Sequence, residues 1–209
     1  MATTKRTQHD RRIETQRLLL QSATRLFGER GYDETSLEDI ARACGLTTGP
    51  VYHYFGSKKE LFRHVHEAVL EQTFARLRKI QGEDLKAHML LQLKETLDTY
   101  KQPQLFRILL IDSPVVLGEE RWSDQQFIMQ LSVSLLGTQL IDTHSLKGLR
   151  LLYAAAREAI IVLVEAENQS KTRQYLIDTL TPLVIAIVEQ LEQFAAIKAS
   201  TRKKIAKKS

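Results

Sequence analysis

Apolar residues recur at helical spacing through nearly the whole chain. Leu19, Leu20, Ala23, Leu26 and Phe27 stand at i, i+1, i+4, i+7 and i+8, one face of an amphipathic helix. Gly31 follows where a glycine ends such a helix. Ser36 opens a second, short helix, with Asp39 three residues on as in a capping box and Leu37, Ile40 and Ala41 as its apolar face. Gly45 ends it. Thr47 is the predicted N-cap of a third helix, with Pro50 in the first turn, where a missing N–H forfeits no bond. Phe55 is predicted to close this three-helix unit against Leu26 and Phe27. Ser57 caps a fourth helix that should run from Lys58 to Gln81. Further helices are predicted over 84–101, 103–112, 124–140, 145–167 and 170–196, with Pro103 and the Ser113-Pro114 pair marking breaks. No stretch alternates with period two between turn residues, so the predicted fold is all-α.

Charge adds an organisation to this pattern. The chain has 209 residues and a formal net charge of +5. Residues 1–64 hold eleven Lys/Arg against eight Asp/Glu, 65–196 hold thirteen against seventeen, and 197–209 hold six against none, so +3, −4 and +6. Basic ends around an acidic middle place polyanion binding at the ends. We expect a basic flexible arm over 1–12, a helical unit over 13–62, a larger helical domain over 63–196 and a basic disordered tail over 197–209. The N-terminus lacks the apolar core of a secretory signal, no apolar run reaches membrane-spanning length, and Cys44 is the single cysteine. A cytoplasmic protein without membrane association is expected.

Chemistry concentrates in CGLTTGPVYHYFGSKKELF, Cys44–Phe62. Two short helices about a glycine turn, with a helix before them, are the parts of a helix-turn-helix. Thr47, Thr48 and Gly49 open the third helix, and Gly49 lets a backbone approach closely. Tyr52, His53 and Tyr54 offer hydroxyl and imidazole groups from one short helix. Lys58 and Lys59 stand ready as cations for a phosphate backbone.

The run LLQSATRLFGERGYDETSLEDIARACGLTTGPVYHYFGSKKELF, Leu19–Phe62, resembles the tetracycline-repressor (TetR) family of bacterial transcriptional regulators. The resemblance rests on Leu26-Phe27, Gly31-Tyr32, Ser36, Ile40-Ala41, Gly45-Leu46-Thr47, Tyr52 to Phe55 and Ser57-Lys58. Lys59, standing before Glu60, departs from the commoner pattern. LFRILLIDSPVVLGEERW, Leu105–Trp122, is similar to a segment of TetR-type C-terminal domains. The resemblance implies an N-terminal helix-turn-helix DNA-binding domain and a C-terminal helical domain that dimerises and binds an effector. It places Ser36, Thr47, Thr48, Tyr52 and Lys58 against operator DNA.

Other candidate residues follow from apolar patterning. In the last helix Leu176, Leu180, Leu183, Ile187 and Phe194 form one stripe, and Ile177, Val184, Val188 and Leu191 a second. One stripe suffices for a core, so the other is assigned to a partner copy. Leu149, Leu152, Ala156 and Ile160 extend that dimer interface from the helix before. Tyr100, Phe106, Arg107, Leu110, Asp112, Trp122 and Phe127 are the candidate lining of an effector cavity. His64 and His66 read as residues of a solvated helix, Cys44 as buried and inert, and Asp112, Glu119, Glu120 and Asp124 as a solvated acidic loop. No nucleophile elbow, phosphate-binding glycine loop or metal-ligand set is seen, so no cofactor, metal or catalytic residue is assigned. The expected protein is a repressor released from double-stranded operator DNA by a small-molecule effector. A helical enzyme and a ligand-independent architectural DNA-binding protein are the alternatives.

Overall fold

A capping box at Thr7 starts the first helix: Thr7 Oγ1 accepts from Asp10 N–H at 3.1 Å, and Asp10 Oδ2 accepts from Thr7 N–H at 2.9 Å. The computed structural model describes residues 7–99, 102–118 and 143–206. The predicted helix 124–140 lies outside them. Helix α1 spans Gln8–Arg30, α2 Leu37–Ala43, α3 Gly49–Phe55, α4 Lys58–Leu77 and α5 Leu85–Thr99. A further run comprises α6 (Pro103–Phe106), a π-helical turn (Arg107–Asp112) and α7 (Ser113–Val116). Helices α8 (Thr143–Glu165) and α9 (Gln169–Ala206) complete the described chain. The fold is all-α.

The described residues form two compact units, one of 7–72 and 102–118 and the other of 73–99 and 143–206. Where the sequence places a domain boundary at residue 62, α4 runs on without interruption to Leu77. It stops short of the predicted Gln81. Residues 8–12, expected as a flexible arm, are helical, and α9 continues to Ala206 through most of the expected disordered tail.

The first unit packs around α1. Leu19, Ala23, Leu26 and Phe27 of α1 are buried, as are Ile40, Val51, Leu61 and Phe62. Phe27, Tyr32 and Phe62 form an aromatic cluster with centroids 5.1–5.7 Å apart. This corrects the expectation for Phe55, which is only half-buried and lies 5.5 Å from the His64 ring. Gly31 ends α1 at φ +90°, a region glycine enters without strain. Buried Thr35 lies with its hydroxyl 2.8 Å from Gly31 O, tying the loop to the spent helix end.

The run 103–116 packs on α1, and a Cβ on Gly28 would lie 2.7 Å from Gln104 Cβ. Ser113-Pro114 does not break this run, contrary to expectation. Pro114 enters the first turn of α7, where its missing N–H leaves no bond unmade. Ser113 is fully buried: its hydroxyl donates to Ile108 O at 2.6 Å and meets His66 Nδ1 at 2.7 Å. With the Ser113 proton on Ile108 O, Nδ1 is the donor. His66 is therefore a core residue and not the solvated one expected. Asp112 likewise leaves the acidic loop and accepts from Tyr32 N–H at 2.9 Å. Cys44 is half-buried, its thiol 3.4 Å from Leu18 O.

In the second unit α5, α8 and α9 pack together. Their shared core includes Met89, Leu93 and Leu97, then Ile160 and Leu163, then Ile177, Val184, Val188 and Leu191. Arg173 makes a bidentate pair with Asp98 at 2.9 and 2.6 Å, fixing α9 to α5. Among the described residues no helix is long and apolar enough to cross a membrane.

Burial raises the Asp112 carboxyl above its ordinary range, opposed by the Tyr32 N–H bond and by Arg107. A carboxyl raised in the folded state contributes stability that is full below the unfolded value of about 3.9. That contribution is lost as pH rises through the folded value. Asp112→Asn keeps an acceptor for Tyr32 and never ionises. The stability difference between variant and parent in urea melts should therefore move in the variant's favour as pH rises through that window. A constant difference would contradict this account.

Candidate DNA-binding interface

The turn between α2 and α3 is set by backbone bonds. Leu46 N–H donates to Ala41 O at 2.9 Å and Gly45 N–H to Arg42 O at 3.0 Å, with Gly45 at φ +67°. Before it, Ser36 and Asp39 cap α2 reciprocally: Asp39 N–H donates to Ser36 Oγ at 3.0 Å, and the Ser36 hydroxyl reaches Asp39 Oδ2 at 2.7 Å. The Ser36 bonds hold the Asp39 carboxyl below its usual range. The N-cap residue of α3 is Thr48, not Thr47, and its side chain makes no capping bond. The shift has a simple cause: Thr48 already has helical dihedrals, φ −70° and ψ −20°, and Val51 and Tyr52 donate to its carbonyl at 2.9 and 3.2 Å.

Helix α3 divides its residues by spacing. Val51 is buried, 1% exposed, and anchors the inner face. Gly49, Tyr52 and His53 fall at i, i+3 and i+4 and are all exposed, Tyr52 at 53%. Thr47 is exposed and Thr48 half-buried beside them. Tyr54 is half-buried, its ring 4.9 Å from His53 and 5.8 Å below the Arg12 guanidinium. Lys58 is half-buried, its ammonium 4.3 Å from the Tyr32 centroid and 3.3 Å from Asp33 O. Of the eight predicted contact residues, the structure thus brings Thr47, Gly49, Tyr52 and His53 onto exposed surface. Ser36 and Lys58 also hold the fold.

Sequence reasoning missed a groove of about 490 Å³ lined by Gln8, His9, Arg11, Arg12, Thr15, His53 and Tyr54. The Arg11-Arg12 doublet was its visible signal, assigned to the arm and not to a helix face.

The predicted effector residues separate. Phe106 and Arg107 line an open groove of about 610 Å³ with Gly28, Gln104 and Ile111. Leu110 is core, 2% exposed, and Asp112 faces Tyr32. Tyr100, Trp122 and Phe127 lie outside the described residues. In the second unit Gln92 Oε1 and Thr99 Oγ1, seven residues apart on α5, are buried without a hydrogen-bond partner among the described residues. Neither residue stands out in the apolar patterning of the chain. Of the dimer set, Ile160 and Leu176 are buried within the unit, Leu152, Ala156, Leu180 and Ile187 are half-buried, and Leu183 is 38% exposed. The Leu149 side chain lies outside the described ones. No group of three or more His, Cys, Asp or Glu able to hold a metal occurs among the described residues.

A capped short helix, a glycine turn and a second short helix with an exposed polar face, braced by α1, define a helix-turn-helix protein. Residues 19–65 match the bacterial regulatory proteins of the tetR family, and residues 87–187 match the tetracyclin repressor-like C-terminal domain. The chain belongs to the TetR family. It is 35% identical over 88 residues to the HTH-type transcriptional regulator CymR of Pseudomonas putida, covering 40% of this chain and 43% of that protein. It is 40% identical over 62 residues to the HTH-type transcriptional repressor KstR2 of Mycobacterium tuberculosis, covering 30% and 31%. The matches thus span less than half the length of these curated relatives. A TetR-family transcriptional regulator from Pectobacterium atrosepticum superposes with a TM-score of 0.64 at 28% identity, covering 85% of this chain and 95% of that one.

Surface and core on α3 should separate experimentally. Tyr52→Ala is expected to leave unfolding free energy within about 0.5 kcal/mol while costing about 1–3 kcal/mol of DNA binding. Val51→Ala should instead lower stability. A Cβ on Gly49 meets only Thr47 Oγ1, at 3.8 Å, so Gly49→Ala should fold normally and reveal any close DNA approach as lost affinity. Equal stability losses for Tyr52→Ala and Val51→Ala would contradict this division.

Proposed function

We propose that the chain is a sequence-specific, DNA-binding transcriptional regulator without enzymatic activity: a cytoplasmic homodimeric repressor released from double-stranded operator DNA by a small-molecule effector. The observation that carries the DNA-binding reading is the exposed Gly49–Tyr52–His53 face of α3 on its buried Val51 anchor. A helix of this kind, presented beyond a helix-turn-helix turn, enters the major groove.

Dimerisation is supported by the surface of α9. The stripe Ile177, Val184, Val188 and Leu191 is consumed by the core, while Leu183 and Phe194 remain 38% and 42% exposed. A twofold dimer matches a twofold operator. The effector reading is supported by Gln92 Oε1 and Thr99 Oγ1, two buried polar atoms with no hydrogen-bond partner among the described residues, since buried polar atoms are as a rule hydrogen-bonded. For a hundredfold loss of operator affinity, the effector has to discriminate the two states by roughly 2.7 kcal/mol.

Selection of duplexes from random-sequence pools, followed by footprinting, tests the main reading. The expected outcome is protection of one short twofold-symmetric site. Protection of many unrelated sites would favour an architectural protein instead. Leu183→Asp should sediment as a monomer at micromolar concentration and bind the selected site poorly. A wild-type monomer under those conditions would remove the dimer from the proposal. Any compound that releases the DNA should bind more weakly, by the same factor, when operator is saturating.

A further inference from the structure

Beside the exposed face of α3 lies the groove between the first turns of α1 and the end of α3. We propose that this groove seats the sugar–phosphate backbone flanking the bases that α3 reads, with Arg11 and Arg12 as its phosphate contacts. The proposal rests on the DNA-binding reading above and extends it to residues outside the helix-turn-helix.

The groove is lined by His9, Arg11, Arg12 and Thr15 from α1 and by His53 and Tyr54 from α3, with Gln8 at its end, and among the described residues no carboxylate lines it. Its charge comes from side chains, since the amino end of α1 is already closed by the Thr7–Asp10 capping box. The Arg12 guanidinium stands 5.8 Å from the Tyr54 centroid, and Tyr54 meets His53 edge-on at 4.9 Å. Stacking on an aromatic face orients a guanidinium while leaving its charge and N–H donors for an oxyanion. The planar groups form a continuous path from α1 to the exposed α3 face, which carries Tyr52 and His53. A polyanion lying on that face continues into the groove, whereas an apolar ligand finds no aliphatic wall there. His53 accordingly serves the backbone at the edge of the site more than the bases.

The test uses the full-length protein and the duplex it selects from random-sequence pools. Arg11→Gln and Arg12→Gln should each reduce the slope of log affinity against log salt by about 0.9, and the double variant by about twice that. Affinity should fall alike across base variants of the site, and hydroxyl-radical protection should recede from the outer edges of the footprint. Arg25→Gln, at an exposed ion pair with Glu29 farther along α1, should change none of these. Arg12→Lys should restore the slope, a result a purely structural role would not give. Thermal melts establish that each variant is folded, and the single variants serve if the double variant is not. Wild-type slope and footprint edges in folded Arg11→Gln and Arg12→Gln proteins would overturn the proposal. Failure of the wild-type protein to select any DNA would overturn the DNA-binding reading, and this one with it.

Discussion

The Tyr32 ring lies 5.7 Å from Phe27 and 5.1 Å from Phe62, with the Lys58 ammonium 4.3 Å from its centroid, while its backbone N–H donates to Asp112. Four parts of the chain therefore meet on one residue: the end of α1, the start of α4, the loop leading to α2 and the π-helical turn. Aromatic pairs of this geometry contribute about 0.5–1.5 kcal/mol each beyond their buried area. The larger consequence is geometric. Helix α3 has only seven residues and one fully buried side chain, too little to fix its own direction. Its aim is set by α1, and α1 is held at its far end through Phe27 and Tyr32.

Much of this was legible in the sequence because it depends on local rules. The Ser36–Asp39 capping box, Gly31 at a positive φ, and the α1 apolar face each follow from residues within one or two turns of one another. The exposed face of α3 follows from three residues at helical spacing once the helix is placed. Errors arose where long-range partners decide. His66 and Asp112 look like solvent-facing polar residues until Ser113, 47 residues away, and Tyr32, 80 residues away, take up their hydrogen bonds. Pro114 looks like a helix breaker until the π-helical turn before it changes the backbone register. Arg11 and Arg12 look like an arm because the Thr7 cap that makes them helical is worth only about 1 kcal/mol and is easily passed over.

The stripes on α9 show the same limit from another side. Periodicity identified two apolar faces and no sequence rule could say which one the core would take. Packing with α5 and α8 selects Ile177, Val184, Val188 and Leu191. Arg173 adds a bidentate pair with Asp98 between α9 and α5 that is compatible with that choice. With that face turned to the core, Leu183 is left 38% exposed.

The run 102–118 gives the first unit a constraint that bears on regulation. It is remote in sequence from α1, yet packs so closely that a Cβ on Gly28 would collide with Gln104. It is held by a buried hydrogen bond to His66 and a half-buried one to Tyr32. Sliding it along α1 would break the Ser113–His66 and Tyr32–Asp112 hydrogen bonds, and a typical hydrogen bond contributes about 0.5–1.5 kcal/mol. Such a segment does not drift. It moves as a body with α1 or changes to a second arrangement in which those groups find other partners. An effector that acts through this segment therefore has to distinguish two discrete packings by its own binding energy.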